Sequence, residues 1–281
     1  METSEQIIKI INDFPPMPKV ALKLLNMIKD ENSTPASLAK VAELDQVLAA
    51  KILKVSNSAY YGLKQKIGSI PHAISILGED TLSNIIYVSS VPSHFVKEIK
   101  SYHLKKGELW KHSVATAFAA KHLCEKLKYQ DKEKAFTVGL LHDIGKIVMD
   151  SLGKDNKEQI DRWIEEGCPN FLKFEKEIFG IDHQTAGAKI AEAWNFPEDI
   201  VDAIQNHHKP ANSKFDYQLT ASIHLADFTC TMIGITGGIR SDVYQPDFTI
   251  FDRFNLNIAA LEQYEEQIYG ALINIEEFLD I

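Results

Sequence analysis

Leu140-Leu141-His142-Asp143-Ile144-Gly145-Lys146-Ile147-Val148-Met149 decides how the chain is read. The run is apolar except for an adjacent imidazole and carboxylate, with Lys146 about one turn later. A buried carboxylate costs several kcal/mol unless it is paired or bound to a cation. The stretch therefore predicts a buried helix or helix end carrying a metal, a proton-transfer site or, more plainly, a hydrogen-bonded His-Asp pair. Neighbouring side chains diverge by about 100° on an ideal helix. His142 and Asp143 can share a ligand if the helix points end-on at it, and Asp143 has two oxygens with which to bridge two ions.

Outward from that stretch, histidines recur. His112 lies upstream, His183 and the doublet His207-His208 downstream, and Asp227 closes the series in the apolar run Ala221-Ser222-Ile223-His224-Leu225-Ala226-Asp227-Phe228. Each has a plain explanation taken alone: an exposed pair of Glu108 with His112 at i, i+4, a capping histidine at 183, a doublet at a helix C-terminus, a His224-Asp227 pair one turn apart. Together they form a donor set of imidazoles and carboxylates that suits iron or manganese in a one- or two-metal site, with zinc as a further choice. Asp143 is expected as the bridge. Lys146 is expected either to steady a phosphate oxygen or to neutralise Asp143. His72, His94 and His103 have no such company.

Helical stripes fill the chain on both sides. Phe14-Pro15-Pro16-Met17-Pro18 ends a short amphipathic helix over Glu5 to Asn12. Val20 to Lys29 is helical. Ser33-Thr34-Pro35 starts the next helix with a hydroxyl cap and a first-turn proline. Asp45 caps another, carrying Leu48, Ile52 and Val55 and stopping near Asn57. Ser69-Ile70-Pro71 opens a helix that Gly78 ends, and Asp80 or Thr81 opens one more. Further helices are expected over Leu109 to Leu127, Lys132 to about Met149, Lys157 to Glu166, Phe171 to Ile178, His183 to Trp194 behind the Asp182 cap, Glu198 to His207 behind Pro197, and Tyr217 to Ile233. Thr236-Gly237-Gly238 reads as a loop; no lysine-bearing helix follows that would make it a phosphate cradle. Arg240 to Asn257 is irregular, and Leu261 to Leu279 reads as a terminal helix. No strand alternation competes, and a junction falls near residues 95–108.

The 281 residues are 45% hydrophobic and 25% charged, an ordinary globular balance. A net charge of -9 argues against a protein that grips nucleic acid through its phosphates or lies on an anionic membrane. Cys124, Cys168 and Cys230 are isolated and odd in number, which favours a reducing compartment over a disulfide framework. The polar, acidic start Met1-Glu2-Thr3-Ser4-Glu5-Gln6 is unlike a signal peptide. A cytoplasmic location is expected.

Two longer matches, Asn57-Ser58-Ala59-Tyr60-Tyr61-Gly62 and Leu141-His142-Asp143-Ile144-Gly145-Lys146, resemble the HDOD branch of the HD superfamily of metal-dependent phosphohydrolases. The resemblance runs from Pro15-Pro16-Met17-Pro18 to about Asp227. It implies an all-α, two-lobed fold: an N-terminal helical lobe over 1–104 and an HD-type bundle with a C-terminal helix over 105–281. It also implies a bacterial signalling or regulatory role with a protein partner. The series His112, His142, Asp143, His183, His207, His208, Asp227 is similar to the ligand set of the HD-GYP cyclic di-GMP phosphodiesterases, with Glu108 as a counterpart to their extra carboxylate. That similarity implies a phosphohydrolase acting on a nucleotide, cyclic dinucleotide or other small phosphate compound, with Asp143 and Lys146 as the reacting groups. Two departures stand out. His207-His208 is followed by Lys209-Pro210-Ala211-Asn212 with no Gly-Tyr-Pro segment, and Asp45-Gln46 replaces the more usual Asp-Pro.

Overall fold

The computed structural model describes Ile7 and residues 9–11, 13–58, 65–90, 96–153, 156–166, 171–238, 246–262, 264–266 and 268–270. Among these there is no strand, only an isolated antiparallel bridge between Ile99 and Leu104. The all-α expectation holds. No helix among the described residues is long and apolar enough to cross a membrane. The chain divides into two compact units, one comprising Pro16–Pro92 with Gly270–Ile281, the other Met1–Pro15 with Ser93–Tyr269.

The first unit holds α1 (Lys19–Ile28), α2 (Pro35–Ala42), α3 (Gln46–Ser56) and α4 (Ile70–Ser90). Their ends follow the chemistry of the residues. Thr34 and Ser37 form a reciprocal capping box ahead of Pro35. Asp45 accepts from the backbone N–H groups of Val47 and Leu48. Gly78, at φ 72°, breaks α4 where a side chain would be strained. Asn57 closes α3, and its amide explains part of the Asn57–Gly62 motif. Its Nδ2 donates to Leu53 O and Ile67 O at 2.8 Å each, and its Oδ1 accepts from Ile67 N at 2.7 Å, tying the loop's return to the helix end. Residues 59–62 of the motif lie outside the described set. Leu24, Leu38, Ile52, Ile74, Leu82 and Ile86 fill the core between α1, α2, α3 and α4.

The second unit contains the short 3-10 helix Lys100–Tyr102, then α5 (Glu108–Lys126), α6 (Lys132–Leu141), α7 (Gly145–Gly153), α8 (Lys157–Glu165), α9 (Phe171–Phe179), α10 (His183–Ala193), α11 (Glu198–Asn206), α12 (Tyr217–Met232), α13 (Phe248–Phe254) and α14 (Ile258–Glu262). Helices α5 and α12 lie at the centre, packed on each other and on α6, while α10 packs on α7 and α11. Gly139 lets α6 approach α5 closely: a Cβ there would stand 2.7 Å from Ala117 Cα. Asp182 caps α10 through Thr185 N, as expected.

Three expectations need correction. The helix expected over Lys132 to about Met149 is two helices, interrupted at 142–144. There the backbone bonds run from Ile144 N to Leu141 O, Lys146 N to Asp143 O and Ile147 N to Ile144 O, the tighter i to i+3 pattern. Gly145 sits against α10 so closely that a Cβ would meet His183 O at 1.9 Å, so the second helix starts where that contact puts it. The segment Arg240 to Asn257 is not irregular throughout: Asp247 caps α13, which buries Ile250 and Phe251. In place of the helix expected from Leu261, a short helix spans Ile258–Glu262 and Tyr264 lies in a turn; residues 271–279 of the expected helix lie outside the described residues.

Candidate metal centre

The break at 142–144 brings His142 and Asp143 to a helix end, where consecutive side chains can face one point. His112 comes from α5, His183 from the first residue of α10, His207 and His208 from the end of α11, and Asp227 from α12. All are buried except His208, which is half-buried. The structure brings the whole sequence-derived series together.

Asp143 is the hub. Its Oδ1 lies 3.5 Å from His183 Nε2 and 3.9 Å from His207 Nε2. Its Oδ2 lies 3.5 Å from His112 Nε2, 3.4 Å from His142 Nε2 and 2.6 Å from Lys146 Nζ. Asp227 adjoins both sides, with Oδ1 3.2 Å from His112 Nε2 and Oδ2 3.9 Å from His208 Nδ1. Two donor sets share Asp143: one with His112 and His142, the other with His183, His207 and His208, and within each the donor atoms lie within 4.8 Å of one another.

The far side of each ring fixes its tautomer. His112 Nδ1 donates to Ile235 O at 2.9 Å, and His142 Nδ1 to Gly139 O and His207 Nδ1 to Ile204 O, both at 2.7 Å. A carbonyl oxygen only accepts, so these Nδ1 atoms carry the proton and each Nε2 turns a lone pair inward. Those three Nε2 atoms and Asp143 Oδ1 are buried and form no hydrogen bond. Lone pairs facing a carboxylate across 3–4 Å repel unless a cation stands between them. The donor set fits a divalent metal, since His112, His142, His207 and His183 are each oriented by an outer acceptor, as metal-ligating histidines are.

The electrostatics agree. Burial raises the Asp143 carboxyl, but Lys146, His142 and His183 overcome it and hold the group well below the usual carboxylate range. Burial likewise raises Asp227, yet His112 and His142 bring it to about 2. Burial pushes His207 and His208 well below the ordinary imidazole value, and the neighbouring histidines push the same way. His142 differs: burial lowers it, but Asp143 outweighs that and raises it.

Glu175 was not anticipated from the sequence. It is buried on α9, accepts from His183 N and Nδ1 at 2.8 Å each, and accepts a short hydrogen bond from Tyr102. A signal was there: Glu175 stands at i+4 from Phe171 and i−4 from Phe179, on the apolar face of its helix. Glu108, by contrast, does not join the cluster through any described contact; its carboxylate accepts from Lys105 N at 2.7 Å. His224, one turn before Asp227, donates from Nδ1 to His207 O and accepts at Nε2 from Asp247 N. The Thr236-Gly237-Gly238 loop lies over the centre, where Gly237 O accepts from Lys146 Nζ at 2.8 Å.

Comparison with known proteins adds to this geometry. A family model described as the HDOD domain matches residues 14–210. An uncharacterised protein of Treponema pallidum is 26% identical over 226 residues, which is 78% of this chain and 42% of that protein. A ribonuclease Y of Mycoplasmoides gallisepticum is 30% identical over 202 residues, 69% of this chain and 31% of its own length. The chain thus spans less than half the length of these curated relatives. Among solved structures, an HDOD domain protein of unknown function from Geobacter sulfurreducens superposes with a TM-score of 0.77 at 22% identity, covering 100% of this chain and 98% of that one. A proposed signal transduction protein from Marinobacter aquaeolei VT8 gives 0.76 at 19%, covering 99% and 66%. A proposed phosphohydrolase from Shewanella amazonensis SB2B gives 0.69 at 22%, covering 98% of each. At these identities the structural likeness is one of fold.

Proposed function

Because the chain belongs to the HDOD family, we propose that it is a bacterial signalling or regulatory protein built around a two-metal centre. In this reading His112, His142 and Asp143 hold one divalent ion, and Asp143, His183, His207 and His208 hold the other, with Asp227 beside both. Iron or manganese suits the mixture of imidazole and carboxylate, and zinc is the third choice. The observation that carries the reading is the group of buried Nε2 atoms of His112, His142 and His207 that form no hydrogen bond around the Asp143 carboxylate, His112 and His142 beside Oδ2 and His207 beside the unbonded Oδ1. Leaving such atoms unpaired costs about 1–3 kcal/mol each. Elemental analysis of the purified chain and anomalous scattering from crystals test it. Two peaks flanking Asp143 are expected; a metal-free chain that takes up no iron, manganese or zinc on reconstitution overturns it.

The lobes expected over 1–104 and 105–281 divide the labour: the second carries the centre and the first meets a protein partner. Leu44 and Val47 are 71% and 65% exposed, a large apolar exposure for a helix end. Leu44→Ser with Val47→Ser is expected to abolish partner crosslinking while sparing metal. Loss of metal in that variant, or unchanged crosslinking, counts against the division.

A second reading is favoured by Lys146 and by the curated relatives named ribonuclease Y. It makes the chain a phosphohydrolase. Two ions held there would supply a nucleophilic water and neutralise charge on a phosphoester. The chain's own groups then have separate tasks: Asp143 faces both donor sets, Glu175 fixes the tautomer of His183, and Lys146 offers its positive charge to a phosphate oxygen. With a net charge of -9, a nucleotide or cyclic dinucleotide is a better substrate than a long RNA held by its backbone. Turnover is measured on bis(p-nitrophenyl) phosphate, cyclic dinucleotides and single-stranded RNA. Metal without turnover leaves the regulatory reading; salt-sensitive, submicromolar binding of RNA contradicts the expectation about nucleic acid.

A further inference from the structure

A catalytic metal keeps one coordination position open, yet the backbone of Ile235–Gly238 passes over this centre. Ile235 O accepts from His112 Nδ1 at 2.9 Å, and Gly237 O accepts from Lys146 Nζ at 2.8 Å. Gly237 is buried so tightly that a Cβ would lie 2.7 Å from Lys146 Nζ, 2.8 Å from Asp143 Oδ2 and 3.0 Å from His112 Nε2. No side chain fits between this segment and the reactive edge of the His112–His142–Asp143 set. Lys146 is correspondingly occupied: Asp143 Oδ2 at 2.6 Å, Gly237 O, and the ring of Tyr102 with its centroid 5.5 Å away. The segment is flanked by two glycines in the left-handed region, Gly234 at φ 83° and Gly238 at φ 117°. Glycine adopts either sign of φ with little cost, and Gly234 has nothing within 4 Å of where a Cβ would stand, so the Gly234 end can act as the hinge, while Gly238 packs against Tyr102.

We propose that Ile235–Gly238 is a gate on the centre, held shut by the Gly237 carbonyl on Lys146 and released when an anionic phosphate oxygen takes that carbonyl's place. An ammonium prefers a charged oxygen to a neutral amide oxygen, since charge-assisted hydrogen bonds are roughly twice as strong. The ligand class is therefore a phosphate ester or free phosphate, and the ligand is both the key and the cargo. The gate rests on the reading of Lys146 as a phosphate-binding group, but it is tested without metal.

The first measurement is the rate at which N-hydroxysuccinimidyl acetate modifies Lys146 in the metal-free full chain, followed by peptide mass mapping. Gly237→Ala wedges the gate. Gly234→Ala strains its base and has nothing within 4 Å to collide with, so it keeps the fold if the wedge does not. Left-handed strain in an alanine is worth about 1–2 kcal/mol, so Lys146 should react about tenfold faster in Gly234→Ala. The second measurement is amide hydrogen exchange of the 233–238 peptide in the unmodified chain with and without inorganic phosphate. Phosphate is expected to accelerate exchange about tenfold in the wild type and not in Lys146→Gln. Unchanged Lys146 reactivity in a folded Gly234→Ala variant overturns the gate, as does exchange that phosphate leaves unchanged or slows. Metal uptake by separate, reconstituted aliquots of the same variants reports on the metal centre, so the two readings fail independently.

Discussion

The two units bury different things. In Pro16–Pro92 the buried polar residues among those described are Ser56, Ser83, Asn84 and Ser90, none of them ionisable. The other unit buries His112, Lys121, His142, Asp143, Lys146, Glu175, Asp182, His183, Asp202, His207, His224 and Asp227. The first unit can be explained by transfer of apolar surface out of water alone. The second cannot, because each buried charge opposes folding until it is paired. Some have ordinary partners: Lys121 lies 2.5 Å from Glu133, and Asp202 accepts from Ser213 Oγ and Lys214 N. The cluster around Asp143 has too few. What the difference teaches is that one unit is a scaffold and the other is a scaffold carrying a deficit that a bound cation would cancel.

The sharpest way to break this contrast is to remove the shared ligand. Asp143→Ala is expected to abolish nearly all bound metal, because both donor sets lose the same carboxylate. A metal that binds only the folded state at a hundred times its Kd adds about 2.7 kcal/mol of stability. Wild-type melting temperature should therefore fall on chelation, while that of Asp143→Ala should not respond to chelator. Elemental analysis and calorimetry with and without chelator check this. A variant that keeps its metal and its chelator response disproves the bridging role.

The complementary experiment is Ile52→Ala in the first unit. Ile52 is fully buried, and such truncations cost about 2–5 kcal/mol. The loss should be the same in the presence and absence of metal, measured by urea unfolding. A metal-dependent loss would show that the two units are energetically one body.

The contrast also marks what could be read from the sequence. Element ends set by a local cap were legible: Thr34 before Pro35, Asp45, Gly78, Asp182 and Pro197 each act within one turn of chain. So was the gathering of the seven imidazoles and carboxylates, not one by one, since each has a plain explanation alone, but through their joint order along the chain. The break at 142–144 was not legible. Apolar residues continue in helical phase on both sides of it, and what enforces it is the contact of Gly145 with the backbone of His183. Glu175 was hidden for a similar reason. Its i±4 spacing from Phe171 and Phe179 sets it on the apolar face, unlike its exposed neighbour Glu177, but the partners that give it a task, Tyr102 and His183, are brought in only by folding. The Thr236-Gly237-Gly238 loop was recognised as a loop, but its position over Lys146 depends on α5 and α12 meeting.

Glu175 supplies the next test. It is an outer partner of one donor set only. Glu175→Gln keeps the shape but removes the charge that orients His183. Loss of such an outer partner lowers metal affinity about 10–100-fold. Competition titration should show one of two ions weakened and the other retained. Equal weakening of both would mean that the sets are not separable.

The smallest effect is expected at Glu108, and it is the one that divides inside from outside along a single helix. Glu108 and His112 are one turn apart on α5, and sequence spacing alone allows either a ligand pair or an exposed charge pair. In the fold His112 is fully buried and faces Asp143 and Asp227. Glu108 is only half-buried at the first turn and accepts from Lys105 N. A carboxylate at a helix N-terminus contributes about 0.3–1 kcal/mol through the backbone dipole and its hydrogen bond. Glu108→Ala should therefore lower stability by about that amount and leave metal stoichiometry and affinity unchanged, whereas His112→Ala should weaken metal binding strongly. If Glu108→Ala also loses metal, the carboxylate belongs to the centre, and the boundary between donor and cap on α5 lies one turn earlier than the contacts of Glu108 and His112 draw it.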